Sequence, residues 1–220
     1  MKLPIIKENQ EGYGLLIEHD AGYILSDKKQ LSEISSIGID NVSFDPTKPL
    51  TCILQKYDIE NKNGRVYPEN ILKREADKYK ILIEKGESSG ELNHPQITEL
   101  DGDRISHRIT EIWWEGKTLV GKIQLILSEA FINAGQVFTK GDLVATYIKN
   151  GLRVGISSRG VGSLKKKSGK NEVQEDFEII CWDIVLQPST PNAWVYPNAE
   201  ERHQFVESKI SNELDKFLIG

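Results

Sequence analysis

Residues 177–186 read Phe-Glu-Ile-Ile-Cys-Trp-Asp-Ile-Val-Leu, or FEIICWDIVL. The run is apolar on both alternating faces, the pattern of a strand covered on its two sides in the middle of a sheet. Asp183 breaks it. On a strand it shares a face with Ile179, Cys181 and Val185, which puts a carboxylate in the core. An unpaired buried carboxylate costs several kcal/mol or more, so Asp183 needs a donor or a cleft beside it.

Upstream, residues 153–158 read as another strand, and the tip Lys165-Lys-Lys-Ser-Gly-Lys170 as the solvated end of a hairpin. Thr51–Tyr57 is a strand, followed by the turn-rich Glu60-Asn-Lys-Asn-Gly-Arg65. A helix is expected from about Pro68, with Ile71, Leu72, Ala76, Tyr79 and Leu82 at helical spacing, and Gly86 ends it. Residues 105–114 and 119–127 suit a hairpin around Glu115-Gly-Lys117, and residues 141–151 a short helix with a glycine stop. Several strands and three helices without strict alternation predict an α+β fold.

Three segments are expected: a weakly patterned arm over 1–48, a main domain over 49–197, and a C-terminal helix over 198–220. That helix opens on the capping box Asn198-Ala-Glu-Glu201. The 220 residues carry 28 Lys+Arg against 33 Asp+Glu, a net charge of -5, which argues against a nucleic-acid-binding chain. No apolar run approaches the ~18 residues of a membrane span, and the N-terminus lacks a secretory apolar region. The two cysteines, Cys52 and Cys181, lie in apolar runs and read as buried hydrophobes in a reducing compartment, so the chain is expected to be cytosolic, with no metal and no cofactor.

The stretch Gly155-Ile-Ser-Ser-Arg-Gly-Val-Gly-Ser163 crowds small residues around one arginine. It lacks the Gly-Lys-Ser/Thr ending of a phosphate loop and does not make a Gly-x-Ser-x-Gly elbow. A serine at a strand end with small neighbours is nonetheless accessible as a nucleophile. His94, in the loop Gly90-Glu-Leu-Asn-His-Pro95, is fixed toward extended geometry by the proline and suits a general base. The order His94, Ser157, Asp183 matches neither chymotrypsin, subtilisin nor the α/β hydrolases, so the residues alone point to a serine hydrolase of unfamiliar fold. A metal-dependent hydrolase built on His94, His107, Asp101 or Asp103 is a rival, although the spacing fits no zinc pattern.

Five motifs in order also resemble a known family: 61–68 (NKNGRVYP), 90–95 (GELNHP), 111–122 (EIWWEGKTLVGK), 155–164 (GISSRGVGSL) and 183–194 (DIVLQPSTPNAW). The run is similar to the prohead core proteases of T-even-type tailed phages, serine endopeptidases related in fold to herpesvirus assemblin. The resemblance covers about residues 50–197 and implies an assemblin-like β-barrel core flanked by helices. It carries the catalytic histidine onto His94 and the nucleophile onto Ser157. Assemblin has a histidine as third member, and here Asp183 stands in the corresponding strand, with Glu111 and His107 in reserve. Backbone N–H groups around Arg159 and Gly160 are expected at the oxyanion and substrate edge, with the Arg159 charge adding to them.

By the same resemblance the substrates are phage scaffold or core proteins and the major capsid protein, cut after Glu in Leu/Ile-x-Glu inside the assembling prohead in the host cytoplasm. No nucleic acid or membrane partner is implied, and a homo-oligomer is compatible. An inactive structural component of the prohead core is the alternative. Tripeptides that match include Leu16-Ile-Glu18, Leu31-Ser-Glu33 and Leu82-Ile-Glu84; the first two predict self-cleavage in the arm, and the third lies in an expected helix, out of a protease's reach until unfolded.

Overall fold

The computed structural model describes residues 3–6, 10–18 and 44–196. The expected C-terminal helix and the Leu31-Ser-Glu33 tripeptide lie outside them. Among the described residues, ten strands form two five-stranded sheets, accompanied by three α-helices. The fold is α+β, mostly sheet.

The first sheet is organised around β7 (Gly155–Lys167). Along one edge it pairs antiparallel with β1 (Gly12–Ile17). Along the other it pairs with β9 (Glu178–Val185) and then β8 (Lys170–Val173), which in turn pairs in parallel with the two-residue β3 (Arg65–Val66). The tract expected to be a short strand and a loop is thus one 13-residue strand whose lysine-rich end turns at Ser168 and Gly169, both at positive φ. FEIICWDIVL is flanked by β7 and, at Ile184, by a bridge to Leu92.

The second sheet runs β10 (Val195–Tyr196), β2 (Leu50–Lys56), β6 (Thr118–Leu125), β5 (Ile105–Glu115) and β4 (Ser89–Glu91), with antiparallel neighbours throughout. The two sheets touch at two isolated bridges, Leu92 to Ile184 and Gly155 to Trp194. The expected barrel is not a closed one among the described residues. β4 is three residues long, and beyond it the link to β9 is one isolated bridge at Leu92, with Asn93 at φ 66 turning the chain away.

Helix α1 (Glu69–Lys85) starts after Pro68 and stops at left-handed Gly86, whose N–H and that of Glu87 return to the carbonyls of Ile83 and Leu82. Its buried stripe of Ile71, Leu72, Ala76 and Tyr79 faces the sheets, and Tyr79 meets Trp182 edge-on at 4.6 Å. Helix α2 (Glu129–Ala134) was not foreseen from its short apolar content; α3 (Lys140–Lys149) begins at a Thr139–Asp142 capping box. One apolar cluster lies between the second sheet, α1 and α3, and a second, around Leu16, Tyr67, Leu72 and Phe177, underlies the first sheet.

Part of the expected arm over 1–48 is paired into the first sheet. Residues 12–17 are an edge strand of the first sheet, and Leu15 and Leu16 are fully buried.

Candidate active site

Strand register brings the candidate residues together. Ser157 on β7 lies directly opposite Asp183 on β9, so both side chains leave the same face, while Ser158 pairs with Trp182 and faces the other way. His94 reaches the same spot from the loop after β4. Its position is fixed by the Leu92–Ile184 bridge and by the Asn93 N–H, which donates to the Ile184 carbonyl at 2.8 Å. The His94 Nδ1 stands 2.7 Å from Asp183 Oδ2, with both side chains buried.

The core carboxylate that the sequence left without a donor has several. The Glu91 N–H donates to Asp183 Oδ1 at 2.8 Å, the Cys181 thiol lies at 3.2 Å from the same oxygen, and Arg159 Nε is 3.1 Å from Oδ2. Burial pushes the Asp183 carboxyl up, but the hydrogen bond and charge of His94, the Arg159 guanidinium and the Glu91 N–H outweigh it and hold the group below its ordinary value. With Asp183 ionised and acceptor-only, the His94 nitrogen facing it, Nδ1, is the donor of that hydrogen bond.

Arg159 is placed differently from expectation. Its guanidinium is buried and turned to acids, 2.6 Å from Glu91 Oε2, with the Ile97 carbonyl at 3.0 Å. A charge committed to two buried carboxylates has no freedom to meet a developing oxyanion, so Arg159 supports Asp183 instead. Gly160 pairs with Leu16 of β1, and its missing side chain makes room for Phe177: a Cβ there would stand 2.5 Å from the Phe177 ring.

Neither reserve for the third role reaches the site. Glu111 is exposed on β5 and pairs with Lys122 at 2.6 Å. His107 is buried, held by Ser106 Oγ at 2.9 Å and by the Trp182 carbonyl at 3.1 Å, and burial lowers its pKa to about 4. The two imidazoles thus have separate partners. Asp101 caps a short 3-10 turn (Gly102–Arg104), and among the described residues no three His, Cys, Asp or Glu side chains form a metal-holding group.

Sequence reasoning did not foresee what occupies the site. β1 continues past Ile17, the Glu18 N–H donates to the Ser158 carbonyl at 3.0 Å, and the Glu18 carbonyl oxygen is in hydrogen-bond contact with the Ser157 hydroxyl. The same carbonyl accepts from the Ser189 N–H at 3.3 Å. A backbone donor to the carbonyl that meets Ser157 therefore comes from the 183–194 motif. The Glu18 side chain is fully buried. Glu91, Cys181 and Ser189 were also missed; the signal for Glu91 was its partner, since a buried arginine requires an acid.

A family model described as prohead core protein serine protease matches residues 9–204. The prohead core protein protease of Enterobacteria phage T4 is 32% identical over 164 residues, which span 72% of this chain and 73% of that protein. Among solved structures, the bacteriophage T4 capsid assembly protease superposes with a TM-score of 0.60 at 24% identity, covering 82% of this chain and 100% of that one, a likeness of fold.

Proposed function

Because the chain belongs to the prohead core protein serine protease family, we propose that it is a serine endopeptidase of capsid maturation that cuts after glutamate in Leu/Ile-x-Glu. Its own Glu18–His19 bond is an early substrate. The observation that carries this is the contact of the Ser157 hydroxyl with the carbonyl of Glu18, the last residue of Leu16-Ile-Glu18. A strand laid antiparallel along β7 with a carbonyl against the serine hydroxyl supports this reading, because it keeps that peptide bond beside Ser157.

In this reading Ser157 Oγ attacks the Glu18 carbonyl carbon as His94 Nε2 takes its proton, and Asp183 fixes the imidazole and stabilises its cation. The negative oxygen that forms is met by the Ser189 N–H. Collapse breaks the Glu18–His19 bond, the leaving amine takes the proton from His94, and water then releases the Glu18 carboxylate from the serine ester by the same base. Other substrates would be the scaffold or core proteins and the major capsid protein of the prohead.

Among the Leu/Ile-x-Glu tripeptides within the described residues, Leu16-Ile-Glu18 is the one whose carbonyl contacts Ser157; Leu82-Ile-Glu84 is inside α1 and Ile109-Thr-Glu111 inside β5. Intact-mass measurement of purified protein over time tests the reading. Wild type is expected to lose residues 1–18, and Ser157→Ala to keep them, with EDTA making no difference. Equal loss in both chains, or loss stopped by EDTA, overturns it.

A further inference from the structure

Five side chains converge on the carboxylate of Glu18, and every one of them is a donor. Oε1 accepts from Arg65 Nη1 at 3.0 Å and from the Tyr67 hydroxyl at 2.5 Å. Oε2 accepts from Asn61 Nδ2 at 2.6 Å, Asn63 Nδ2 at 2.7 Å and the Ser189 hydroxyl at 3.1 Å. We propose that Asn61, Asn63, Arg65, Tyr67 and Ser189 form the pocket that selects glutamate before the cut bond in every substrate of this chain. The proposal rests on the protease reading above and assigns the residues that set its specificity.

The turn that carries Asn61, Asn63 and Arg65 is held by hydrogen bonds of its own. Asn61 Oδ1 accepts the N–H groups of Asn63 at 2.9 Å and Arg65 at 3.1 Å, which leaves its Nδ2 as the end facing the carboxylate. The Asn61 carbonyl closes the turn on the Gly64 N–H at 3.0 Å, with Gly64 at φ 68, a conformation that glycine adopts without strain. The Lys62 N–H donates to the Ser189 carbonyl at 3.1 Å, joining this turn to the segment that also carries the backbone donor for the cut carbonyl. Arg65 additionally bonds the Ile17 carbonyl at 3.0 Å, so it holds the substrate backbone one residue before the glutamate as well.

The chemistry discriminates. A carboxylate accepts at both oxygens, whereas glutamine would turn an NH2 into a nest of donors and leave buried groups unpaired. Aspartate is one methylene too short to reach all five donors. A lysine would meet Arg65 in a buried setting, where like charges repel strongly. The pocket also lies two residues along the strand from Leu16, whose side chain leaves the same face into the apolar cluster of Tyr67, Ile71, Leu72 and Phe177. An apolar residue, any residue, then glutamate is what these two sites would accept.

The test is a series of fluorogenic peptides differing only at the residue before the cut, Glu, Gln, Asp or Lys, given to full-length wild type, Arg65→Met, Asn63→Ala and Ser157→Ala. Wild type is expected to favour Glu over Gln by about 100-fold or more in kcat/KM. Arg65→Met should cut that ratio at least tenfold, and Asn63→Ala, at a half-buried position less able to disturb folding, severalfold. Glu and Gln peptides cut equally by wild type, or a folded Asn63→Ala or Arg65→Met enzyme with an unchanged ratio, overturns the pocket and leaves the protease standing. If wild type cuts no peptide better than Ser157→Ala does, the protease reading falls and the pocket with it.

Discussion

Asp183 Oδ2 lies 2.7 Å from His94 Nδ1, and the two are brought together by a single backbone hydrogen bond and bridge that lay the 92–94 loop along β9. Asp183→Asn keeps the size of the side chain but offers an NH2 where the imidazole N–H must donate, which favours the wrong tautomer. Peptide cleavage at neutral pH is expected to fall by about 10³–10⁴ in kcat, with little change in KM. A kcat within severalfold of wild type would remove Asp183 from the mechanism.

Arg159 neutralises two buried acids, Glu91 and Asp183, at 2.6 and 3.1 Å. Arg159→Met leaves both charges buried without a cation, a loss of about 3–5 kcal/mol. Thermal denaturation should show a Tm lowered by roughly 10 °C for a chain of this size. Adding Glu91→Gln to Arg159→Met should restore part of the loss; a double variant as unstable as the sum of both singles would argue against the shared pairing.

His107 is neutral in the fold, with a pKa lowered to about 4 by burial, against an ordinary 6.5 when unfolded. Above 6.5 neither state binds the proton. As the pH falls below 6.5 the unfolded chain takes up a proton that the folded one refuses, so stability is lost down to about pH 4, by an amount on the order of 3 kcal/mol. His107→Gln should flatten this part of the curve of unfolding free energy against pH, as measured by denaturant titration between pH 7 and pH 4.5. An unchanged slope would show that other groups set it.

Gly160 and Gly162 both lie under Phe177, where a Cβ would stand 2.5 and 2.8 Å from its atoms. Gly160→Ala is expected to lose about 1–3 kcal/mol through overpacking. Because Gly160 pairs with Leu16, it should also raise KM for Leu-x-Glu peptides more than it lowers kcat. A variant with wild-type stability would mean that Phe177 has room to move.

Much of this was legible in the chain. Strand periodicity around Thr51, Ile105 and Phe177, the helical stripe from Ile71 to Tyr79 and the stop at Gly86 depend on local patterns, and the structure keeps them. The oddity of an acid in FEIICWDIVL led to Asp183, and loop chemistry led to His94. What could not be read was pairing across long separations. Whether Arg159 faces a carbonyl or Glu91, 68 residues away, depends on strand register, which no local pattern encodes. The place of residues 12–18 was hidden for the same reason. Their short apolar run is too small to distinguish an arm from an edge strand, and only the partner β7 decides it.

The strand β1 is part of the same chain as Ser157, so its presentation to the serine does not depend on how many copies of the protein are nearby. A tether of this kind supplies the segment at an effective concentration of about millimolar, whatever the dilution. The first cut should therefore follow unimolecular kinetics, with a half-time that stays constant when the protein is diluted a hundredfold. On the proposed reading, cleavage of separate proteins is bimolecular, so it is favoured by high concentration and follows the release of β1 from the groove. A confined shell would supply that concentration, so the two events are separated in time by their molecularity alone.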